Sequence, residues 1–252
     1  MIATELVDAL IEGHGGRARW RAVDSIEAAL SSGGLAFALK WQPFALRWLQ
    51  AVVRPHAREV TLYGYGRPEW RGIWTPDEVR LVDAGGDTVA RRTSPRQAFA
   101  RRGRVLRWDS LDMLYFAGYA LWNYLSFPFL LEAPGVTAIE KPASGPPGSR
   151  LIEAWFDDGV PTHSRVQRFH IDASLRLVRH DYTADVLSRL ATAANFCRAS
   201  QVVDGLRFYT RRRVVPRFGP ELVLPLPTLV WIELDSVRVR FLGGSGPPSV
   251  PG

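Results

Sequence analysis

The sequence predicts an α+β protein in which a curved antiparallel sheet surrounds one buried apolar helix. Strand-like segments lie before and after a single long helical segment, without the strand-helix alternation that marks a doubly wound fold. That helical segment is apolar on every side, which is typical of a helix enclosed by protein. Short apolar and aromatic runs between turns rich in Gly, Pro and Ser fill most of the remaining chain.

The composition is that of a globular chain, with 252 residues of which 46% are hydrophobic. The single cysteine, Cys197, excludes an intramolecular disulfide framework and a multi-cysteine zinc site. The net charge of +7 comes from 30 Arg and 2 Lys, a skew that we attribute to GC-rich codon usage, so no nucleic-acid partner is expected. No secretory signal is visible at the N-terminus, which predicts a cytoplasmic protein. We expect one domain over residues 1–242 and a disordered tail over 243–252.

The first 90 residues are predicted to be one helix followed by a meander of strands. Residues 4–12 place four apolar side chains on one helical face, Leu6, Val7, Leu10 and Ile11. Strand-like runs then extend from Ile26 to Asp83, with turns at 31–34, 42–43 and 67–68.

Residues 91–107 form an arginine-rich segment with seven Arg and no acid, at positions 91, 92, 96, 101, 102, 104 and 107. Clustered Arg can bind nucleic acid, phosphate or an anionic membrane through counterion release. A solvated connector is the simpler interpretation, because no recognition motif accompanies the cluster.

The central segment, residues 108–131, is predicted to be the buried helix. Asp109 can cap its first turn, Asp112 adds favourable charge there, and Pro128 marks its end. Residues 113–131 hold 19 positions without a formal charge, which also allows a membrane span. Aromatics, Gly118, Asn123 and Pro128 make a poor lipid-facing surface, so we expect no membrane span.

Strands are predicted again after a loop at 142–148, over 151–156, 163–171, 175–182, 193–203, 206–215 and 229–241. The glycines form no nucleotide-binding motif. The five histidines lack the spacing of a zinc site, so neither a metal nor a cofactor is expected.

Residues 162–182 hold three of the five histidines and are predicted to form a hairpin. With a two- or four-residue loop, Phe169 lies opposite Val178, Gln167 opposite His180 and Arg165 opposite Tyr182. A three- or five-residue loop would break this register. Alternation then places these side chains on one face: His163, Arg165, Gln167, Phe169, Ile171, Val178, His180 and Tyr182.

This hairpin face is the candidate catalytic site, with His180 as general acid or base and Tyr182, His163 and Gln167 assisting. Histidine titrates near neutrality and a phenol can donate to a developing oxyanion, which suits an isomerisation, cyclisation or elimination. Alternatively, His180 and Gln167 satisfy each other as a cross-strand pair and Tyr182 stacks on the central helix.

The candidate ligand-binding residues are aromatic side chains of the helix together with two hairpin residues: Tyr115, Tyr119, Trp122, Tyr124, Phe169 and Arg165. Most of the aromatics in the chain are expected in the core. A few lining a cavity would favour a flat, apolar or aromatic molecule.

The opening helix ending in His14-Gly15-Gly16, followed by Trp20, Val23 and the strand 25–31, resembles the start of the lipoprotein-carrier-like (LolA/LppX-like) superfamily. Residues 115–125 and the motif Arg179-His-Asp-Tyr182 resemble a group of bacterial proteins without assigned function that we associate with it. The resemblance implies a curved antiparallel β half-barrel with an N-terminal helix and a central apolar helix in its concave face, binding apolar molecules.

The chain differs from the exported carriers of that superfamily because it shows no export signal. We therefore expect a cytosolic half-barrel that binds an apolar or aromatic small molecule. The alternative is a cofactor-independent isomerase, cyclase or lyase of a secondary-metabolite pathway, similar to a pigment-pathway catalyst built on a similar half-barrel. The sequence specifies neither the ligand nor the oligomeric state.

Overall fold

The computed structural model describes residues 3–99, 106–219 and 222–244. The helices are α1 (Thr4–Gly13), α2 (Arg17–Arg21), α3 (Leu35–Ala38), α4 (Pro95–Ala98) and α5 (Ser110–Ser126), with short 3-10 turns at Phe129–Glu132 and Leu242–Gly244. The strands are β1 (Val23–Gly33), β2 (Leu49–Arg54), β3 (Glu59–Tyr63), β4 (Arg71–Trp74), β5 (Glu78–Val82), β6 (Thr88–Thr93), β7 (Val136–Lys141), β8 (Arg150–Phe156), β9 (Val166–Ile171), β10 (Leu177–Thr183), β11 (Thr192–Val203), β12 (Leu206–Phe218), β13 (Leu222–Val223) and β14 (Val230–Phe241).

The strands form one open, curved antiparallel sheet in the order β6-β5-β4-β3-β2-β1-β14-β12-β11-β10-β9-β8-β7, with β13 paired to β12. Two meanders make up this sheet, β1–β6 before α5 and β7–β12 after it. Strand β14 joins them because it pairs with β1 on one side and β12 on the other. The curved antiparallel sheet predicted from the sequence is confirmed.

The element boundaries follow the sequence signals closely at α1 and in the later strands. Three short helices, α2, α3 and α4, and the two edge strands β6 and β7 were not predicted. The predicted turn at 31–34 was wrong. Strand β1 continues through Gly33, which pairs with Trp231 of β14.

Helix α5 begins and ends where its terminal residues predict. Asp109 is its N-cap, and its carboxylate and that of Asp112 form a capping box. Arg92 of β6 bonds both carboxylates, at 2.7 and 2.8 Å. The helix ends at Ser126, with Phe127 as its extended C-cap before Pro128, which cannot donate a backbone hydrogen bond. Every residue from Leu111 to Ser126 is buried.

No helix in the described part of the chain has both the length and the apolar character that crossing a membrane requires. Within residues 113–131, the α-helical part ends at Ser126, and a 3-10 turn follows at Phe129–Glu132.

Helix α5 is seated against the first meander. It packs mainly on β2–β5, and more lightly on β6 and β12. Gly118 makes this close approach possible, because a Cβ there would lie 2.1 Å from Trp74 Cγ on β4. Leu114 packs in the same way over Gly72, where an added Cβ would meet its side chain at 2.7 Å.

The hairpin of β9 and β10 has a five-residue loop, because Ile171 pairs with Leu177. A bulge follows at Val178, after which His180 lies opposite Phe169 and Asp181 opposite Arg168. The predicted pairs, Phe169 with Val178 and Gln167 with His180, were therefore wrong.

The face assignment of the hairpin nevertheless holds for its central residues. A five-residue loop alone would turn the even-numbered residues of β10 to the face opposite from the predicted one. The bulge at Val178 adds one more residue and returns His180 and Tyr182 to the predicted face. Gln167, Phe169, His180 and Tyr182 are all buried on the face toward α5, the inner face. Val178 is exposed and its neighbour Leu177 is buried in its place.

The arginine-rich segment is partly built into the fold. Arg91 and Arg92 belong to β6, and the Arg96 guanidinium donates to the Thr162 carbonyl at 2.8 Å. Residues 100–105, which include Arg101, Arg102 and Arg104, lie outside the described residues, as do residues 245–252 of the predicted tail. The single-domain boundary at residue 242 stays a prediction.

Candidate functional site

The structure brings the four candidate catalytic residues together with two tyrosines of α5, between this helix and β9–β10. We name this group the interior cluster: Tyr119, Tyr124, His163, Gln167, His180 and Tyr182. All six side chains are buried. The interior cluster is thus assembled from α5, the loop before β9 and the β9–β10 hairpin.

Tyr124 is the centre of the hydrogen bonds in the interior cluster. Its hydroxyl lies 2.9 Å from His163 Nε2 and 3.1 Å from the Tyr182 hydroxyl. The other ring nitrogen of His163 lies 3.2 Å from the Tyr119 hydroxyl. Neutral imidazole donates at one nitrogen and accepts at the other, so His163 connects two turns of α5.

Gln167 and His180 form a side-chain hydrogen bond with each other, as expected if they are a cross-strand structural pair. They lie diagonally across the two strands rather than directly opposite. His180 Nε2 donates to Gln167 Oε1 at 2.6 Å. The amide of Gln167 donates in turn to the Thr162 hydroxyl and the Ser164 carbonyl. The imidazole of His180 stacks on Phe169 at 4.4 Å between ring centroids, and His163 stacks on Tyr182 at 3.9 Å.

The loop that carries His163 is held to α5 by an amide that sequence reasoning missed. Asn123 donates to the carbonyls of Tyr119 and Pro161, at 2.7 and 2.8 Å. Its oxygen accepts from the Thr162 hydroxyl at 3.0 Å. Asn123 therefore fixes the position of His163 against the helix.

Burial keeps the whole interior cluster uncharged at neutral pH. It lowers the pKa of His163 to about 3, and the charges of Arg96 and Arg212 act in the same direction. Burial also takes the pKa of His180 well below its usual value. It raises the pKa of Tyr124 to about 12, and the pKa values of Tyr119 and Tyr182 lie well above the usual range for the same reason.

Arg212 of β12 is the main functional candidate that sequence reasoning missed. Its guanidinium carbon lies 4.3 Å from the ring centroid of Tyr124, and the side chain is buried. A signal was present in the run Arg211-Arg212-Arg213, because alternation must turn at least one of three consecutive strand residues toward the inner face.

Two small cavities border Tyr124. The apolar cavity has a volume of about 30 Å³ and lies between α5 and the strands β1, β10 and β14; it is lined by Phe37, Leu46, Phe116, Ala120, Tyr124 and Tyr182, among others. The second cavity has a volume of about 10 Å³ and mostly apolar walls that include Phe127, Leu130, Phe169 and Leu177; we name it the polar cavity because Asn123, His180 and Arg212 also line it. Each has room for about one water molecule, so an aromatic ligand needs the interior to open.

The other predicted ligand-binding residues lie away from these cavities. Tyr115 contacts Tyr119 at 5.3 Å between ring centroids but lines neither cavity. Trp122 faces the other way and donates to the Pro55 carbonyl at 2.9 Å. Arg165 precedes β9, is exposed and lies 3.6 Å from Asp158, so it does not oppose Tyr182 as predicted.

Asp181 lies on the outer face, as expected for the neighbour of His180. Its carboxylate accepts two hydrogen bonds of 2.6 Å from Arg179 and lies 3.1 Å from His170 Nε2. In the described ranges, no group of three or more His, Cys, Asp or Glu side chains is placed to hold a metal ion.

The connection between β1 and β2 carries an exposed apolar surface, which we name the aromatic segment, residues 35–48. Trp41 and Trp48 are 72% and 85% exposed, and Phe44 is exposed as well. Phe37 and Leu46 of the same segment point inward and line the apolar cavity. These three aromatics are exceptions to the expectation that most aromatic side chains lie in the core.

No protein-family profile matches the sequence, and no curated protein does. Among solved structures, the crystal structure of a DUF1329 family protein from Desulfovibrio piger is similar, with a TM-score of 0.53 and 12% sequence identity. The similarity covers 96% of this chain and 92% of that chain. That protein has a LolA/LppX-like type of fold, so the resemblance stated from the sequence holds at the level of the fold.

Proposed function

We propose that this chain is a half-barrel protein that binds an apolar or aromatic small molecule between α5 and the second meander. The observation that carries the proposal is the pair of cavities on either side of Tyr124. They lie in the interior, at the junction of α5 with inner-face strands, and they combine apolar walls with a few placed polar groups, as ligand sites do.

The packing of α5 is consistent with opening on one side. The helix is held mainly on β2–β5, where Gly118 meets Trp74 of β4 without a gap. Toward β10, β12 and β14 it leaves the two cavities. Displacement of Tyr124, which borders both cavities, would join them into one site.

The aromatic segment supplies an access route to this site. Its inner residues Phe37 and Leu46 line the apolar cavity, while Trp41, Phe44 and Trp48 of the same segment are exposed. Movement of this segment would open the cavity to the exterior.

The pKa directions favour binding over acid-base catalysis. An effective general acid or base has a pKa near the working pH, whereas the pKa of His163 is about 3 and that of His180 is well below its usual value. The alternative, a cofactor-independent isomerase, cyclase or lyase, is favoured by the convergence of His180, Tyr182 and Gln167. It requires a bound substrate to raise the histidine pKa values.

The test is a titration with the neutral fluorescent probe N-phenyl-1-naphthylamine, with energy transfer from tryptophan as the readout. We expect saturable binding to the native chain. Ala120→Leu fills the apolar cavity from α5 and is expected to weaken binding about tenfold or more, since overpacking removes the space for the probe. Ala173→Leu makes the same change at an exposed loop position and serves as the control.

Two results would contradict the proposal. One is the absence of saturable binding. The other is equal affinity in the native chain and in Ala120→Leu, which would place the probe elsewhere. Loss of binding in a Trp41→Ser, Trp48→Ser double variant, with Ala120→Leu unaffected, would assign the probe to the exposed surface of the aromatic segment.

A further inference from the structure

We infer that Arg212 is an anion-binding residue, and that the ligand is an apolar or aromatic molecule carrying one anionic group such as a carboxylate. This inference rests on the proposed function, because the anion would enter with the ligand between α5 and the second meander. It assigns the polar cavity to the charged end of the ligand and the apolar cavity to its body.

Arg212 is a buried cation without a carboxylate partner. Its relative exposure is 3%, and no Asp or Glu in the described ranges comes within ion-pair distance of it. One terminal nitrogen contacts Cys197 Sγ at 3.3 Å and the other contacts the Tyr124 carbonyl at 3.5 Å. Nε has no hydrogen-bond partner.

The neighbours of Arg212 do not supply the missing negative charge. Burial raises the pKa of the Cys197 thiol, so the sulfur is a neutral, weak acceptor. The faces of Tyr124 and Tyr209, at 4.3 and 5.6 Å, offer only cation-π attraction. A buried charge that lacks an ion partner is costly, and buried charges in proteins are ordinarily paired.

A second buried polar group lies near Arg212. Asn195 is fully buried on β11, and its side-chain amide is a hydrogen-bonding neighbour of the Tyr124 hydroxyl. The register pairs Cys197 with Arg212 and Asn195 with Val214, so Asn195 and Arg212 lie on adjacent strands, two positions apart in register. Displacement of Tyr124 would leave this amide, like the Arg212 guanidinium, in need of a polar partner, because buried amides are almost always hydrogen-bonded.

The two cavities set the arrangement of the ligand. Arg212 lines the polar cavity together with Asn123 and His180. Tyr124 separates it from the apolar cavity, whose walls include Phe116 and Val230. An anionic group at Arg212 would accept charge-assisted hydrogen bonds, and an attached apolar body would extend past Tyr124 along α5.

The test compares two probes with the same aromatic skeleton, neutral N-phenyl-1-naphthylamine and anionic 8-anilinonaphthalene-1-sulfonate. We expect the native chain to bind the anionic probe more tightly. Arg212→Met replaces the guanidinium with an unbranched apolar side chain. It should lower the affinity for the anionic probe by about 10- to 100-fold, as expected for loss of a hydrogen bond to a charged group. The affinity for the neutral probe should change by no more than about twofold. Arg212→Lys should retain part of the preference.

Arg211→Met is the matched control, because it removes the same charge from the exposed face of the same strand. It should leave the preference for the anionic probe unchanged. An equal preference in the native chain and in Arg212→Met would overturn the inference while leaving the proposed function intact. Failure of both probes to bind the native chain would instead reject the proposed function.

Thermal unfolding provides a measurement that does not depend on a probe. Because the charge of Arg212 is uncompensated, the ligand-free Arg212→Met variant should melt at the same temperature as the native chain or higher. A fall of more than about 5 °C, or failure of this variant to fold, would show that Arg212 stabilises the core and would overturn the inference.

Discussion

Acid should unfold this protein through its buried histidines. The folded-state pKa of His163 is about 3 and that of His14 about 4, and His180 is also lowered, all chiefly by burial. In the unfolded chain each returns to about 6.5. Below that pH these histidines bind protons in the unfolded chain but not in the folded chain. Their contribution to the free energy of unfolding is therefore fully present above about pH 6.5 and decreases as the pH falls toward the folded-state pKa values.

The magnitude follows from linkage. Each of these histidines contributes a slope of about 1.4 kcal/mol per pH unit, or about 2 kcal/mol between pH 7 and pH 5. Three together remove about 6 kcal/mol, which is comparable to the whole stability of an ordinary domain. We therefore expect cooperative unfolding near pH 5, above the range in which most carboxylates titrate.

The assay is urea unfolding followed by tryptophan fluorescence at pH 7, 6.5, 6 and 5.5. His163→Asn removes one titrating group, so its free energy of unfolding should fall less steeply with pH than that of the native chain, by about 1.4 kcal/mol per pH unit. His56→Asn is the control, because the His56 side chain is exposed. Identical slopes for the native chain and His163→Asn would refute the reasoning.

Three further changes test the fold and the aromatic segment. Gly118→Ala should destabilise the protein by about 3 kcal/mol or more in thermal melts, because its Cβ would overlap Trp74; a loss under about 1 kcal/mol would contradict the close contact. Asp109→Ala should cost about 1–2 kcal/mol through loss of the capping box and the Arg92 contact, and an unchanged midpoint in urea would argue against it. Trp48→Gly should be neutral or stabilising by up to about 1 kcal/mol, since Trp48 is exposed and has a φ of 58°; marked destabilisation would contradict this.

The sequence was most informative where one residue has one local physical role. Asp109 and Pro128 marked the ends of α5 because capping and the missing proline donor act within a few residues. The period of two placed His180 and Tyr182 on one face despite the wrong register. The register itself depended on a five-residue loop and a bulge at Val178, and no residue in that stretch distinguishes the bulge from a regular strand.

The interior cluster was only half predictable for a different reason. His180 and Tyr182 lie on one strand, so local alternation relates them, whereas His163 lies in the loop before β9. Their partners Tyr124 and Arg212 come from α5 and β12, and only the packing of the sheet around the helix brings these together. Arg165 and Trp122 were chosen for residue type alone, and their positions on the outside of the site depend on strand ends and helix rotation.

The most direct test of the account is a crystal structure of the protein grown with 4-iodobenzoate, located by the anomalous scattering of iodine. The account predicts iodine between α5 and the second meander, near Phe116 and Tyr182, with the carboxylate in hydrogen-bond contact with Arg212 and Tyr124 displaced. Iodine found only on the exposed aromatic segment or on the outer face of the sheet, with the interior unchanged, would contradict it.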